Sequence, residues 1–136
     1  LKDLFGNAVV IGKAIVDSYG ASATAAATIL KNLGFGAADI ARAIVDGMAK
    51  NYTTAASTLK SLGFSANNVA KALKSAGALA EEAGDAVKSA FSLSAQAMAE
   101  ALKFAGYGAD AIGEAVASAF NMAAGVVQTI LAAIGF

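Results

Sequence analysis

The 136-residue chain has no cysteine, histidine, proline or tryptophan. Without cysteine there are no disulfides, iron–sulfur clusters or thiolate zinc sites, and the redox compartment is unreadable. Without histidine the commonest general base and the commonest neutral metal ligand are missing. Serine–histidine and cysteine–histidine nucleophile arrangements are therefore excluded. Charge is sparse: 15% of residues, ten bases against ten acids. A single arginine and zero net charge do not make the basic stripe that a nucleic-acid surface needs, so no nucleic-acid partner is expected. What is abundant is apolar, at 57%, with 37 alanines and 14 glycines along the sequence. That excess excludes a disordered tail, and the length suits one domain with a sizeable core.

The chain repeats itself. Residues 1–29 slide onto 30–58: Leu1, Lys2 and Leu4 meet Leu30, Lys31 and Leu33, and Ile11, Ile15, Val16 and Asp17 meet Ile40, Ile44, Val45 and Asp46. Residues 73–101 slide onto 102–130 with the same shift of 29, aligning Leu73, Lys74 and Gly77 with Leu102, Lys103 and Gly106. Between the blocks the phase jumps by 14, from Leu59 to Leu73. This predicts a unit of about 14 to 15 residues, one short helix with its connection, two to a repeat. The organisation expected is a single domain, 1–136. Its blocks are 1–29, 30–58, a half unit 59–72, 73–101, 102–130 and a terminal cap 131–136.

Alanine, leucine, lysine and methionine favour helix, and apolar residues recur at helical spacing, as at Ile40, Ile44 and Met48. The stops are sharper. Leu30 to Phe35, Leu59 to Phe64, Leu102 to Tyr107 and Leu131 to Phe136 share one motif, with glycine just before the final aromatic. Glycine there suits a left-handed helix end, with the following aromatic packing back on the leucine. Lys31, Lys60 and Lys103 lie in the last turn, where their own helix dipole favours a cation. Ser22, Thr53, Ser65, Ser94 and Asn121 are the expected N-caps. The fold expected is all-α. About nine short helices lie near 7–18, 22–33, 37–48, 53–62, 66–76, 79–90, 94–105, 109–119 and 122–134. They form either a short α-solenoid, which is preferred, or a compact curled bundle.

Chemistry-bearing patterns are few. Gly34-Phe35-Gly36 and Gly106-Tyr107-Gly108 precede helices, but no strand precedes them, so they read as helix ends and not phosphate loops. Glu81, Glu82, Asp85, Asp110 and Glu114 fall early in their helices, where the dipole already favours acids. Neither a catalytic residue, a metal site nor a cofactor is expected. Residues 1–76 carry eight bases and four acids, and residues 77–136 two bases and six acids. Such a dipolar chain suits head-to-tail contact. The C-terminal stretch from Ala115 to Phe136 carries no charge. Asn121 falls at a repeat junction, so the stretch should be two helices and not one span.

If the last helix is uncovered, Met122, Val126, Val127, Ile130, Leu131, Ile134 and Phe136 form an apolar surface for a ligand or partner. Beginning at Leu1 and not Met, the chain reads as a processed product or an excised domain. The function expected is a non-enzymatic helical-repeat module that binds a protein partner or builds a homo-oligomer. The alternatives are an apolar small-molecule or lipid carrier with a pocket between helices, and a membrane-active helical protein.

Overall fold

The computed structural model describes residues 8–136. The repeat matches at Leu1, Lys2 and Leu4, and the first residue of the expected helix 7–18, lie outside the described residues. Among the described residues nine helices follow in order: α1 (Ala8–Tyr19), α2 (Ala23–Asn32), α3 (Ala37–Arg42, running on as a π-helical turn, Ala43–Gly47), α4 (Tyr52–Ser61), α5 (Ala66–Ser75), α6 (Ala80–Phe91), α7 (Ala95–Ala105), α8 (Ala109–Phe120) and α9 (Ala124–Ala133). No strand occurs among the described residues.

Every helix–helix contact among the described residues joins helices one or two apart in the chain. None joins the start of the chain to its end. That pattern is a stack of helices in two rows, as in a helical-repeat array. Odd-numbered helices stack on one another in one row and even-numbered helices in the other. The odd row keeps one register throughout. Gly12, Ala41, Ala70 and Ala99, which follow one another at the repeat shift, are all buried. Residues this small let neighbouring backbones approach closely. A Cβ on Gly12 would already lie 3.2 Å from the Cβ of Ala43. Larger residues fill the space between the rows. Leu30, Ile40, Ile44, Leu59, Leu73, Met98, Leu102 and Ile112 are all fully buried.

The helix ends explain the break in sequence phase. Gly34, Gly63, Gly77, Gly106 and Gly135 adopt the left-handed conformation, with φ between 96° and 104°. The next residue's N–H donates back to the carbonyl of Leu30, Leu59, Leu73, Leu102 or Leu131. This is the expected Schellman-type stop, with Gly77 as a fifth case. Helices α1, α3, α6 and α8 stop in a second way, with Gly20, Ala49, Ser92 and Asn121 left-handed. In three of these the residue just before is Tyr19, Phe91 or Phe120. The two kinds alternate except at α4 and α5, which are both of the first kind. The phase jump at residues 59–72 thus exchanges the two end types between rows, while the stacking runs through unchanged.

Two expected N-caps are corrected. Asn51, not Thr53, caps α4: its side chain accepts from the Thr54 N–H at 2.8 Å. Asn121 ends α8 instead of starting α9, because asparagine tolerates the left-handed conformation (φ 53°) that a helix end requires. Ser22, Ser65 and Ser94 cap as expected, accepting from Ala25, Asn68 and Ala97. The expected single helix 37–48 holds together but widens into the π turn, with Met48 N–H donating to Ala43 O at 2.9 Å. The widened turn brings Gly47 against α1, where a Cβ would lie 2.7 Å from the Val9 carbonyl oxygen.

Candidate functional site

The most regular feature of the surface is a set of lysines in the last turns of α2, α4, α5, α6 and α7. Lys31, Lys60 and Lys103 lie in the last turn as expected, where their own helix dipole favours a cation. All five also reach the end of the helix two further on. Lys31 donates to the Leu62 carbonyl at 2.7 Å and lies 5.5 Å from the centre of the Phe64 ring. Lys60 does the same to Ala90 at 2.9 Å and Phe91 at 5.5 Å, and Lys88 to Ala119 at 2.7 Å and Phe120 at 4.3 Å. In the odd row Lys74 reaches Gly106 at 3.3 Å and Tyr107 at 5.5 Å, and Lys103 reaches Ile134 and, at 5.0 Å, Phe136. An ammonium over a ring face meets the negative lobe of its quadrupole. The free carbonyls of a helix end supply the negative pole of the receiving helix.

In α3 and α5 the donor and its ring are missing together. At the position of Lys74 and Lys103, α1 has Val16 and α3 has Val45. The helices they would serve, α3 and α5, have Met48 and Ala78 where the others carry a ring. Arg42 of α3 still bonds the Ser75 carbonyl at 3.3 Å, without a ring, while its other arm holds Asp39 at 3.0 Å. At the far end the lysine is lost again: Ala117 and Ala132 stand at the positions of Lys88 and Lys103. The signal was present in the sequence as a lysine followed by an aromatic slightly more than one repeat later, as Lys60 is followed by Phe91. A reading that looks only within one helix does not find it.

Most acids serve local structure or stand exposed. Glu82 accepts from the Leu79 N–H at 2.9 Å, closing the first turn of α6. Glu81, Asp85, Asp110 and Glu114 are exposed. Asp17 pairs with Lys13 at 2.8 Å, a contact that raises the pKa of Lys13. Among the described residues no three potential ligands gather into a metal site. Gly34 and Gly106 are helix ends, and Gly36 and Gly108 start the next helices.

Two tyrosines come into electrostatic range of Glu82. Burial, then Glu82, then Tyr52 push the Tyr107 phenol up to about 12. Burial first, then Glu82 and Asp46, raise Tyr52. The Tyr107 hydroxyl donates to the Ala78 carbonyl and so ties α7's end to the turn before α6.

Three grooves combine small and polar groups with a few larger apolar side chains, and a fourth beside α1 has Val9 and Val10 with Asp39 and Arg42. One of about 290 Å³ between α2 and α4 carries Thr24, Thr53, Thr54, Ser57, Thr58 and Ser61. One of about 650 Å³ involves Asn67, Glu100, Lys103, Phe104 and Ile134. A third, of about 350 Å³ between α8 and α9, has Gly113, Ala117, Val127, Gln128 and Leu131 with Asp110 and Glu114.

The seven C-terminal apolar residues are only partly covered. Val127 is buried; Met122, Ile130, Leu131 and Ile134 are half-buried against the core; Val126 and Phe136 remain 50% and 48% exposed. All lie on α9 or its flanks. The uncharged stretch 115–136 is broken at 121–123 into two helices, and no described helix is long and apolar enough to cross a membrane. Comparison with known protein families, with curated proteins and with solved structures returns no match.

Proposed function

We propose that the protein is a non-enzymatic helical-repeat module that docks a protein partner, or assembles with itself, through the incompletely covered face of α9. One observation carries the reading: positions buried inside the stack surface again at its end. Leu73 and Leu102 are fully buried, and their equivalent Leu131 is only half-buried; Ala101 and Ala105 are buried, and their equivalents are the larger Ile130 and Ile134, half-buried. Repeat arrays generally close their ends with polar faces. An apolar, uncharged end is instead the kind of surface that a partner covers. The carrier reading has less support. The named grooves are lined mainly by small, hydroxyl, amide and charged residues, while most of the large apolar side chains lie in the filled core.

Native mass spectrometry of the protein purified from its source tests this. A bare oligomer that Val126→Asp with Phe136→Asp reduces to monomer supports assembly through α9. An excess mass that is lost on denaturation favours the carrier reading. A bare monomer withdraws self-assembly.

A further inference from the structure

One position in α4 departs from its equivalents along the even row. Thr58 is the one buried polar side chain among the described residues, only 4% exposed. Two places before Lys31, Lys88 and Ala117, its equivalents are Ile29, Ala86 and Ala115, all apolar. Burying a hydroxyl without a partner costs stability. The usual relief on a helix is a bond to the carbonyl four residues back, as Thr28 makes to Thr24 and Ser61 to Ser57. The Thr58 hydroxyl makes no such bond and has no partner among the described residues. No enclosed polar atom among them is left unsatisfied, so this hydroxyl opens on the groove that Thr58 lines between α2 and α4.

The rest of the groove matches it. Thr24, Thr53, Thr54, Ser57 and Ser61 complete a lining of hydroxyls with no charged group. That choice belongs to this pair of helices. Where α2 and α4 carry Thr24, Thr28, Thr53 and Ser57, α6 and α8 carry Glu81, Asp85, Asp110 and Glu114. Without a cation the groove offers little to phosphate or carboxylate, and without an acid little to a metal or an amine. Hydroxyls both donate and accept, so they suit a ligand whose own groups do the same. The methyls of the threonines between them suit C–H surface. We infer that the groove binds a neutral polyol of monosaccharide size, one of whose hydroxyls bonds Thr58. Its volume of about 290 Å³ equals roughly ten waters, which is room for one six-membered ring with its hydroxyls. The site shares no residue with α9, so neither reading depends on the other.

Amide NMR of the full chain, titrated with myo-inositol or with glucose, tests this. Saturable shifts are expected on α2 and α4. Thr58→Val keeps the side-chain volume and resembles the apolar equivalents, and it should weaken binding about two- to tenfold. Ser57→Ala, at an exposed position that folding does not need, should weaken it over the same range of about two- to tenfold. Thr58→Ser should bind as the parent does. Shifts that do not saturate, that spread evenly along the chain as excluded osmolytes produce, or that both weakening variants leave unchanged overturn the inference. Ser57→Cys gives the chain its only thiol, which should react with a small maleimide as fast as an exposed thiol does. A protected thiol would show that the chain itself closes the groove, and overturns the inference equally.

Discussion

Helices α4 to α7 and the end helices α1, α8 and α9 are written in nearly the same register, yet the interior and the ends solve different problems. In the interior, small residues at Ala70 and Ala99 sit in the seam, leucines at 73 and 102 fill the core, and each last turn sends a lysine onward. At the far end the same positions read Gln128, Leu131 and Ala132. The lysine disappears in the two helices that have no described helix two places ahead to receive it. The repeat is thus defined less by what each helix contains than by what it hands to the next.

The largest effect expected to separate interior from end lies in the core. Leu73→Ala should destabilise the protein by about 2–5 kcal/mol in chemical denaturation, because the site is closed on all sides. Leu131→Ala, its counterpart at the end, should cost about 1 kcal/mol, since part of that side chain already meets water. Equal losses would mean that α9 is covered as fully as α5. A smaller contrast is expected in the seam. Ala99→Gln should destabilise by about 1–3 kcal/mol by overpacking, while Gln128→Ala should stay within about 0.5 kcal/mol of the parent in the same measurement.

Tyr107→Phe should cost about 1 kcal/mol near neutral pH through the lost bond to Ala78. Its pH dependence carries a sign. The phenol is raised from 10.0 to about 12 in the fold, so its neutral form is the one that the fold favours. That contribution is complete below pH 10.0 and is lost as pH rises through about 12. Melting curves of the two proteins should therefore converge across that alkaline window. Divergence there would show that burial and Glu82 are not holding the phenol neutral. The smallest effect concerns single stitches: Lys60→Met should cost about 0.5–1 kcal/mol, and a double-mutant cycle with Phe91→Ala should reveal coupling. Lys13→Met, which removes only an exposed pair within one helix, should cost about 0–0.5 kcal/mol.

Much of the architecture was legible because its signals are local. Glycine before an aromatic marks a helix end whatever lies around it, and the helices begin and end close to the places that periodicity indicates. Thr53 and Asn121 misled because both residue types suit more than one place: asparagine caps a start at Asn51 and ends a helix at Asn121. The targets of the lysines were not legible from a single turn, since Lys31 meets its carbonyl on Leu62, a whole repeat away. The charge halves of the sequence mix unlike groups. Lys31, Lys60 and Lys74 lie against neighbouring helix ends, whereas Glu81 and Asp110 face solvent. The candidate surface at α9 was legible as composition. The groove at Thr58 was not, because one buried hydroxyl means something only beside its apolar equivalents.

The reach of the stitch has a consequence for how such a chain can lengthen. A lysine and the ring that it meets stand farther apart along the chain than the length of one repeat, as Lys31 and Phe64 or Lys60 and Phe91 do. One isolated repeat therefore contains a donor and an acceptor that belong to different partnerships and do not close on each other. Tandem duplication of the α6–α7 repeat brings in two new donors, Lys88 and Lys103, together with two new rings, Phe91 and Tyr107. The old and new contacts then all find mates, with no compensating substitution. Growth by duplication of this repeat is thus self-consistent, whereas duplication of α5 with α6 would set Lys74 against Ala78, which offers no ring.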